Sequence, residues 1–411
     1  MASCPPQPSA PATGSSAPTL IGGASSWPAT SRFEWPTLTC SSAETPNRAS
    51  FCRSLPGCRI RAMSKSPTRP VGQPVTLLES LGLRPLREQL PQIRLALLGD
   101  AYTPSSRFDH TSLGILRPRV SVALWAGRFA APRRALIYSL FNHRQTPPTE
   151  GWSVRRTQVL DYRGLDLTYD SHNGTDFAVP PGTPVTATAP GLVFRVSNDF
   201  NRGGWKVCLD HGRGVFTTSN HLARPLVRVG QTVDRGEVIA LSGYSGLDGL
   251  ALFPFSAPHV HFNTWVAGRA ADPFARIGTE PSETSMWRDH NDPRPTRAGT
   301  MSEPPAQTAF DAAAVNLAIA SCRDPVLRDR LASLSDDQER AYATLFEQNY
   351  YPTRFTCWPT LVVDAMERAP LLDLPFPDDV VDGVVYPEVS GAFMISWTWT
   401  SANIHFPSTR R

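Results

Sequence analysis

The chain has 411 residues and 41% hydrophobic content, enough for two or three domains with sizeable cores. Its formal charge of +4 is small, only Lys65 and Lys206 among its basic residues are lysines, and no basic run with interleaved aromatics supports a nucleic-acid surface. Seven cysteines without a CxxC pair argue against a complete disulfide framework and against a thiolate zinc site, and no apolar run approaches the roughly 20 residues that span a bilayer.

Residues 1–65 are rich in Ser, Pro, Thr and Ala, with Glu34 and Glu44 as their acidic residues. They read as a disordered or non-native N-terminal extension. No basic region followed by an apolar one marks a secretory signal there, and an Arg-bearing, acid-poor transit peptide is the second reading. Coherent apolar patterning begins just after Met63, which places the expected start of translation at that residue.

Residues 66–150 read as a mixed α/β extension. "VTLLESLGLRPLREQLPQIRLALLGD" has short helical segments interrupted by prolines, whereas "RVSVALWAGRF" alternates and predicts a buried strand at 120–127. "NHRQTPPTEGW" (142–152) has the composition of a linker.

Residues 151–285 change character. Short runs such as "GLVFRVSN", "WKVCLDH", "GVFTTSNHL" and "EVIALSG" are separated by Gly, Asn, Asp and Pro, which predicts a mainly β core of antiparallel strands, a sandwich or barrel. "PPGTPVTATAPGLV" and "RVGQTVDRGEVIAL" both place Gly-x-x-Val ahead of a second Gly and an apolar strand, as a sandwich of pseudo-repeated halves would. After 286 comes a linker or wrapping arm, then a helical C-terminal region (286–411) with Asp311 and Ser335 near the helix starts. Its tail "GAFMISWTWTSANIHF" alternates as a strand would, and its His290 and His405 carry no assigned chemistry.

Five of the nine histidines, His172, His211, His221, His259 and His261, fall in the β-rich segment. In "PHVHF", His259 and His261 share one face of an extended strand, roughly 6–7 Å apart. In "SHNGTDF", the Asn173-Gly174 turn signal can fold His172 and Asp176 toward one point. Those two and one histidine of the pair make three Zn²⁺ ligands, with the fourth tetrahedral position left for water. His221 and the other histidine are then candidates for proton transfer.

The ordered set "HNGTDFAVPPGTPVTATAPGLV", "LDHGRGVFTTSNHL", "VGQTVDRGEVIALSGYSG" and "APHVHFNTWVAGRAADPF" resembles the lysostaphin-type (LytM-like) peptidoglycan endopeptidases over about residues 153–275. The resemblance implies an antiparallel β-sandwich, or barrel-sandwich hybrid, with one Zn²⁺ per site. It further implies metal ligation by His172, Asp176 and His261, catalysis by His221 and His259 beside the water, and a framework role for His211. The implied activity is zinc-dependent hydrolysis of the peptide cross-links of bacterial peptidoglycan by metal-activated water, with the peptidoglycan peptide as partner. The implied place is the cell envelope, periplasmic or secreted, although no signal peptide is readable and a cytoplasmic place stays open. Three departures stand out. Ser219 replaces a common aromatic two residues before His221, Asn263 stands where many relatives have Glu, and the apolar loop 247–258 is long. A non-catalytic cell-wall-binding or amidase-regulating module on the same fold is the alternative. A lipoyl-like carrier needs an exposed lysine at a hairpin tip, and Lys206 reads as part of a strand.

Overall fold

The computed structural model describes residues 74–276, 284–296 and 307–387. The expectations for residues 1–65, for a start at Met63 and for a strand at 391–406 lie outside these.

The chain enters through two helices, α1 (Leu77–Ser80) and α2 (Leu86–Leu98). Thr76 and Glu79 cap α1 reciprocally, each side chain accepting from the other's backbone N–H. The run expected as a strand at 120–127 is instead helix α3 (Pro118–Trp125). Alternation in "VSVALW" fits a helical period equally well, and Pro118 supplies a preset first turn. Ser121 and Leu124, three apart, are the buried positions, and Ser121 Oγ bonds the carbonyls of Pro254 (2.6 Å) and Ser256 (2.7 Å).

Strand β1 (Arg134–Ser139) opens the sheet, followed by β2 (Thr175–Ala178), β3 (Pro184–Thr186), β4 (Gly191–Asp199) and β5 (Gly204–Asp210). Then come β6 (Val215–Pro225), β7 (Thr232–Val233), β8 (Val238–Ser242), helix α4 (Leu247–Leu252), β9 (His259–Val266) and β10 (Arg269–Ala271). Helices α5 (Ala312–Ala320), α6 (Pro325–Ala332) and α7 (Asp337–Tyr350) precede the last short strand, β11 (Gly383–Val385). Asp311, Asp324 and Asp336 cap the three helices, their carboxylates accepting first-turn backbone N–H groups.

The strand order is β11-β1-β2-β9-β6-β5-β4-β7, with β10 on β9 and with β8 joining β3 to β6. Among the described strands only the β1–β11 pair is parallel. The two similar sequence stretches pair with each other: β3 of the first lies against β8 of the second, and β4 against β7. Lys206 lies within β5, fully buried and ion-paired to Asp199 at 3.2 Å, so no carrier lysine is displayed there.

Side-chain alternation divides the work of the sheet. On one face Phe177, Val260 and Phe262 enter the main core with Trp287 and Phe376, with Phe177 6.1 Å from Trp287 and 6.0 Å from Phe376, ring to ring. On the other face of β9 stand His259, His261, Asn263 and Trp265. Trp265 belongs to a second core with Phe194, Phe216, Leu345 and Phe346, which seats α5–α7 on that face. The C-terminal helices therefore cover the same side of β9 as the histidines.

Gly204 holds the β4–β5 turn against the sheet. Its φ is +62°, and an added Cβ would lie 2.3 Å from the carbonyl carbon of Ser245. Gly204→Ala should destabilise the fold by about 1–3 kcal/mol or more, read from the urea midpoint; an unchanged midpoint would show that the turn is free to move.

Candidate metal centre

The centre begins with strand register. In the β2–β9 pair, Asp176 lies directly opposite His261, and Ala178 opposite His259. Directly opposed side chains on antiparallel strands share a face at short range, so the pairing alone brings carboxylate and imidazole together. His261 Nδ1 lies 2.7 Å from Asp176 Oδ1. His172 arrives through the turn before β2, its Nε2 3.0 Å from Asp176 Oδ1 and 3.1 Å from His261 Nδ1. Gly174 permits this approach, because a Cβ there would meet Phe262 O at 2.6 Å and His261 Nε2 at 2.9 Å.

His221 needs a different device. The β5–β6 register passes from Val207 opposite Ser219 to Trp205 opposite Leu222, so Asn220 and His221 stand together against Lys206. This is a β-bulge, and His221 takes φ +59° within it. The break in alternation lets Asn220, opposite His261, and the adjacent His221 face the same centre. The His221 ring lies 4.8 Å from His259 and 6.1 Å from His261, centroid to centroid.

Backbone carbonyls orient the rings. His172 Nδ1 bonds Leu140 O (2.6 Å), His221 Nδ1 bonds Ser245 O (2.7 Å) and His259 Nδ1 bonds Ala257 O (2.8 Å). A carbonyl only accepts, so each ring carries its proton on Nδ1 and presents a bare Nε2 inward. Asn263 Nδ2 donates to His261 Nε2 at 3.0 Å. With the amide in that orientation, the His261 proton sits on Nδ1, between Asp176 Oδ1 and His172 Nε2.

Burial sets the electrostatics. It works to raise the Asp176 carboxyl, but the surrounding His172 and His259 and the hydrogen bond from His261 hold it well below the usual carboxylate range. Burial pushes His221 well down, assisted by His259 and His261, and lowers His261 against the pull of Asp176. Neutral imidazoles beside an ionised carboxylate are the protonation states that metal ligation requires.

The donor set fits Zn²⁺. His172, Asp176 and His261 are buried, and their ligand atoms lie within 4.8 Å of one another. Tetrahedral ligands about 2.0–2.1 Å from zinc stand roughly 3.3–3.4 Å apart, so a cation among the three atoms needs them to spread only a few tenths of an ångström, with the His261 proton moved to Nε2 and the Asn263 amide turned to accept it. His259 Nε2 is next, 3.6 Å from Asp176 Oδ1.

The remaining sequence candidates fall elsewhere. His211 is buried in the strand framework, bonded through Nδ1 to Pro190 O (2.7 Å) and through Nε2 to Thr217 Oγ1 (2.8 Å). His290 is exposed, and His405 lies outside the described residues. The 247–258 loop forms α4, and Phe253 sets its ring edge-on to Trp125 of α3 at 5.1 Å.

Several groups had no sequence signal. Tyr138 stacks on His259 at 5.6 Å, and Tyr244 lies 4.8 Å from the same ring. From α7, Tyr350 donates to Asn220 Oδ1 (2.6 Å), and Asn220 Nδ2 donates to His261 O (2.8 Å) and Asn263 Oδ1 (2.8 Å). Asn220, within "SNHL", and Tyr244, within "SGYSG", stood inside quoted motifs, but neither was singled out there.

A buried His-Asp-His cluster on an antiparallel sheet, with two further inward imidazoles, is a donor set that could hold a metal ion. Residues 170–273 match the model of peptidase family M23. An uncharacterized metalloprotease of Haemophilus influenzae is 36% identical over 163 residues, 39% of this chain and 30% of that protein. The peptidoglycan DD-endopeptidase ShyB of Vibrio cholerae is 40% identical over 188 residues, 44% of this chain and 41% of its own length. The DD-endopeptidase ShyA of the same organism is 41% identical over 98 residues, 24% and 21% respectively. The chain thus spans between 21% and 41% of the length of these relatives.

Burial lowers the His211 pKa from 6.5 to about 4. The unfolded chain takes this proton near 6.5 and the folded chain only near 4, so the stability held above pH 6.5 is lost as pH falls through that window. Metal-free protein should lose stability between pH 6.5 and 4, and His211→Gln should flatten that slope in urea titrations. An identical slope in the variant would place the proton uptake elsewhere.

Proposed function

We propose that this chain is a zinc-dependent endopeptidase of the cell envelope that hydrolyses peptide cross-links in bacterial peptidoglycan. The observation that carries this reading is the buried His172–Asp176–His261 cluster, within a segment that matches peptidase family M23. The similarity to proteins named peptidoglycan DD-endopeptidases supports the substrate class.

In this reading His172 Nε2, an Asp176 oxygen and His261 Nδ1 hold the ion. Two neutral imidazoles and one carboxylate leave the site a net charge near +1. Bound zinc would supply a Lewis acid that acidifies water and polarises the scissile carbonyl. His221 and His259 do the proton work. Each has Nδ1 tied to a carbonyl, so each can accept a proton only at Nε2, the atom turned toward the centre. A neutral imidazole takes a proton from the attacking water, and the imidazolium formed returns it to the leaving amine. The second imidazole can donate to the amide oxygen, and stabilise charge on it, only when its Nε2 is protonated as well. Tyr138 and Tyr244 around His259 restrict its ring and exclude solvent from it.

Purified protein should release muropeptides from sacculi, lose that activity to a chelator and regain it with zinc. A folded, zinc-loaded protein that releases none would shift the reading to wall binding without turnover. Single substitutions separate the roles. His261→Ala should lose zinc, whereas His259→Ala should retain zinc and lose about 10²–10⁴-fold in kcat. If His259→Ala also releases the metal, the two histidines have exchanged roles.

A further inference from the structure

The centre is not an isolated pit. The cavity beside His221 and His261 meets a cleft of about 730 Å³ that runs between the 145–152 segment and the 348–361 segment, and Arg202 lines both. Arg202 sits in the β4–β5 turn, which is fastened on either side. His221 N donates to Gly203 O at 2.8 Å, and Trp205 N donates to Ser245 Oγ at 2.9 Å. The guanidinium carbon lies 5.9 Å from the Trp152 ring centroid and 5.6 Å from that of Tyr351. Its place is therefore set by rigid neighbours rather than by solvent.

Arg202 forms no ion pair in contact. Its Nη1 donates to Asn201 O at 3.0 Å, and among the described residues no carboxylate oxygen lies within 4.0 Å of it, Asp248 acting on it only from farther off. Other cations nearby are paired, Lys206 with Asp199 at 3.2 Å and Arg354 with Glu347 at 3.5 Å. Its neighbour Asn201 is buried and lines the same cavity, with Oδ1 accepting from Tyr351 at 2.8 Å. A half-buried guanidinium beside the centre, with no carboxylate in contact, is complementary to an acceptor carried by a ligand.

The planar guanidinium fork matches two oxygens of a carboxylate or of a phosphate, and the charge around it favours the carboxylate. Asp248, which lines the same cavity more than 4.0 Å from Arg202, opposes an ion of higher negative charge. An amide in the carboxylate's place would lose the charge and set N–H groups against N–H groups.

We propose that Arg202 binds a free carboxylate of the peptide close to the scissile bond and thereby selects which peptides reach the centre. This deepens the peptidase reading and rests on it for the identity of the ligand as a peptide. Arg202 is here a specificity residue, not part of the proton chemistry.

The test compares two cross-linked muropeptides that differ only in a free carboxylate or a carboxamide beside the cleaved bond. The wild-type protein should favour the carboxylate by about 10-fold or more in kcat/KM, and Arg202→Gln should bring the ratio to within about 2-fold. A wild-type ratio near one, or a ratio kept in Arg202→Gln, overturns the proposal. Because the readout is a ratio, loss of folded protein in the variant does not imitate the expected result. Calorimetric binding of the corresponding uncross-linked peptides to metal-free protein separates the two readings. If neither cross-link is cut but the carboxylate form binds about 10-fold more tightly through Arg202, hydrolysis fails and this proposal stands. Equal binding of the two forms, with no preference in cleavage, removes it.

Discussion

The pairing of Asp176 with His261 across the β2–β9 ladder is the interaction on which the rest depends. One carboxylate is placed 2.7 Å from one imidazole by strand register, without help from a loop. A one-residue slip of β9 would turn both histidines into the core and bring Val260 and Phe262 out to the centre. Hydrophobic alternation opposes the slip, because Phe177, Val260 and Phe262 are fully or almost fully buried among the aromatic rings beneath the sheet. The apolar core of one face thus holds the polar geometry of the other. A buried carboxylate among imidazoles is costly unless its charge is matched, and a divalent cation at this point matches it.

Around that pair the chain adds one device per residue. A turn through Gly174 delivers His172. A bulge with a left-handed His221 delivers the fourth imidazole, a backbone conformation that the surrounding ladder must hold in place. Flanking segments finish the work. Leu140, just past β1, supplies the carbonyl that orients His172, and α7 supplies Tyr350, whose hydroxyl joins Asn220 and, through it, the backbone of His261. Both lie outside the segment that matches the peptidase family, so the centre belongs to a larger structural unit than that match.

The histidines and Asp176 were legible because their spacing carries the geometry. Period-two spacing puts His259 and His261 on one face, and Asn-Gly predicts a turn after His172. The short β-runs were legible through their Gly, Asn and Pro boundaries. What escaped has common physical causes. The run at 120–127 satisfies both strand and helix periods, and Ser121 settles the matter by burying its hydroxyl on two carbonyls near residue 255, a contact 133 residues away in sequence. The orienting carbonyls of Leu140, Ser245 and Ala257 are backbone atoms, which leave no compositional trace. Tyr350 and Arg202 act through tertiary placement, and nothing in "FEQNYY" or "DFNRGGW" distinguishes them from ordinary helix-end and turn residues. The bulge at His221 is likewise a matter of register between strands.

X-ray absorption at the zinc edge on the zinc-loaded protein tests the central claim most directly. The account predicts one zinc per chain with two imidazole nitrogens and a carboxylate oxygen from the protein, no bound zinc and hence no such spectrum in His261→Ala, and the wild-type spectrum in His259→Ala. Three imidazoles with no carboxylate, or an unchanged spectrum in His261→Ala, would contradict the placement of the metal on the Asp176–His261 pair.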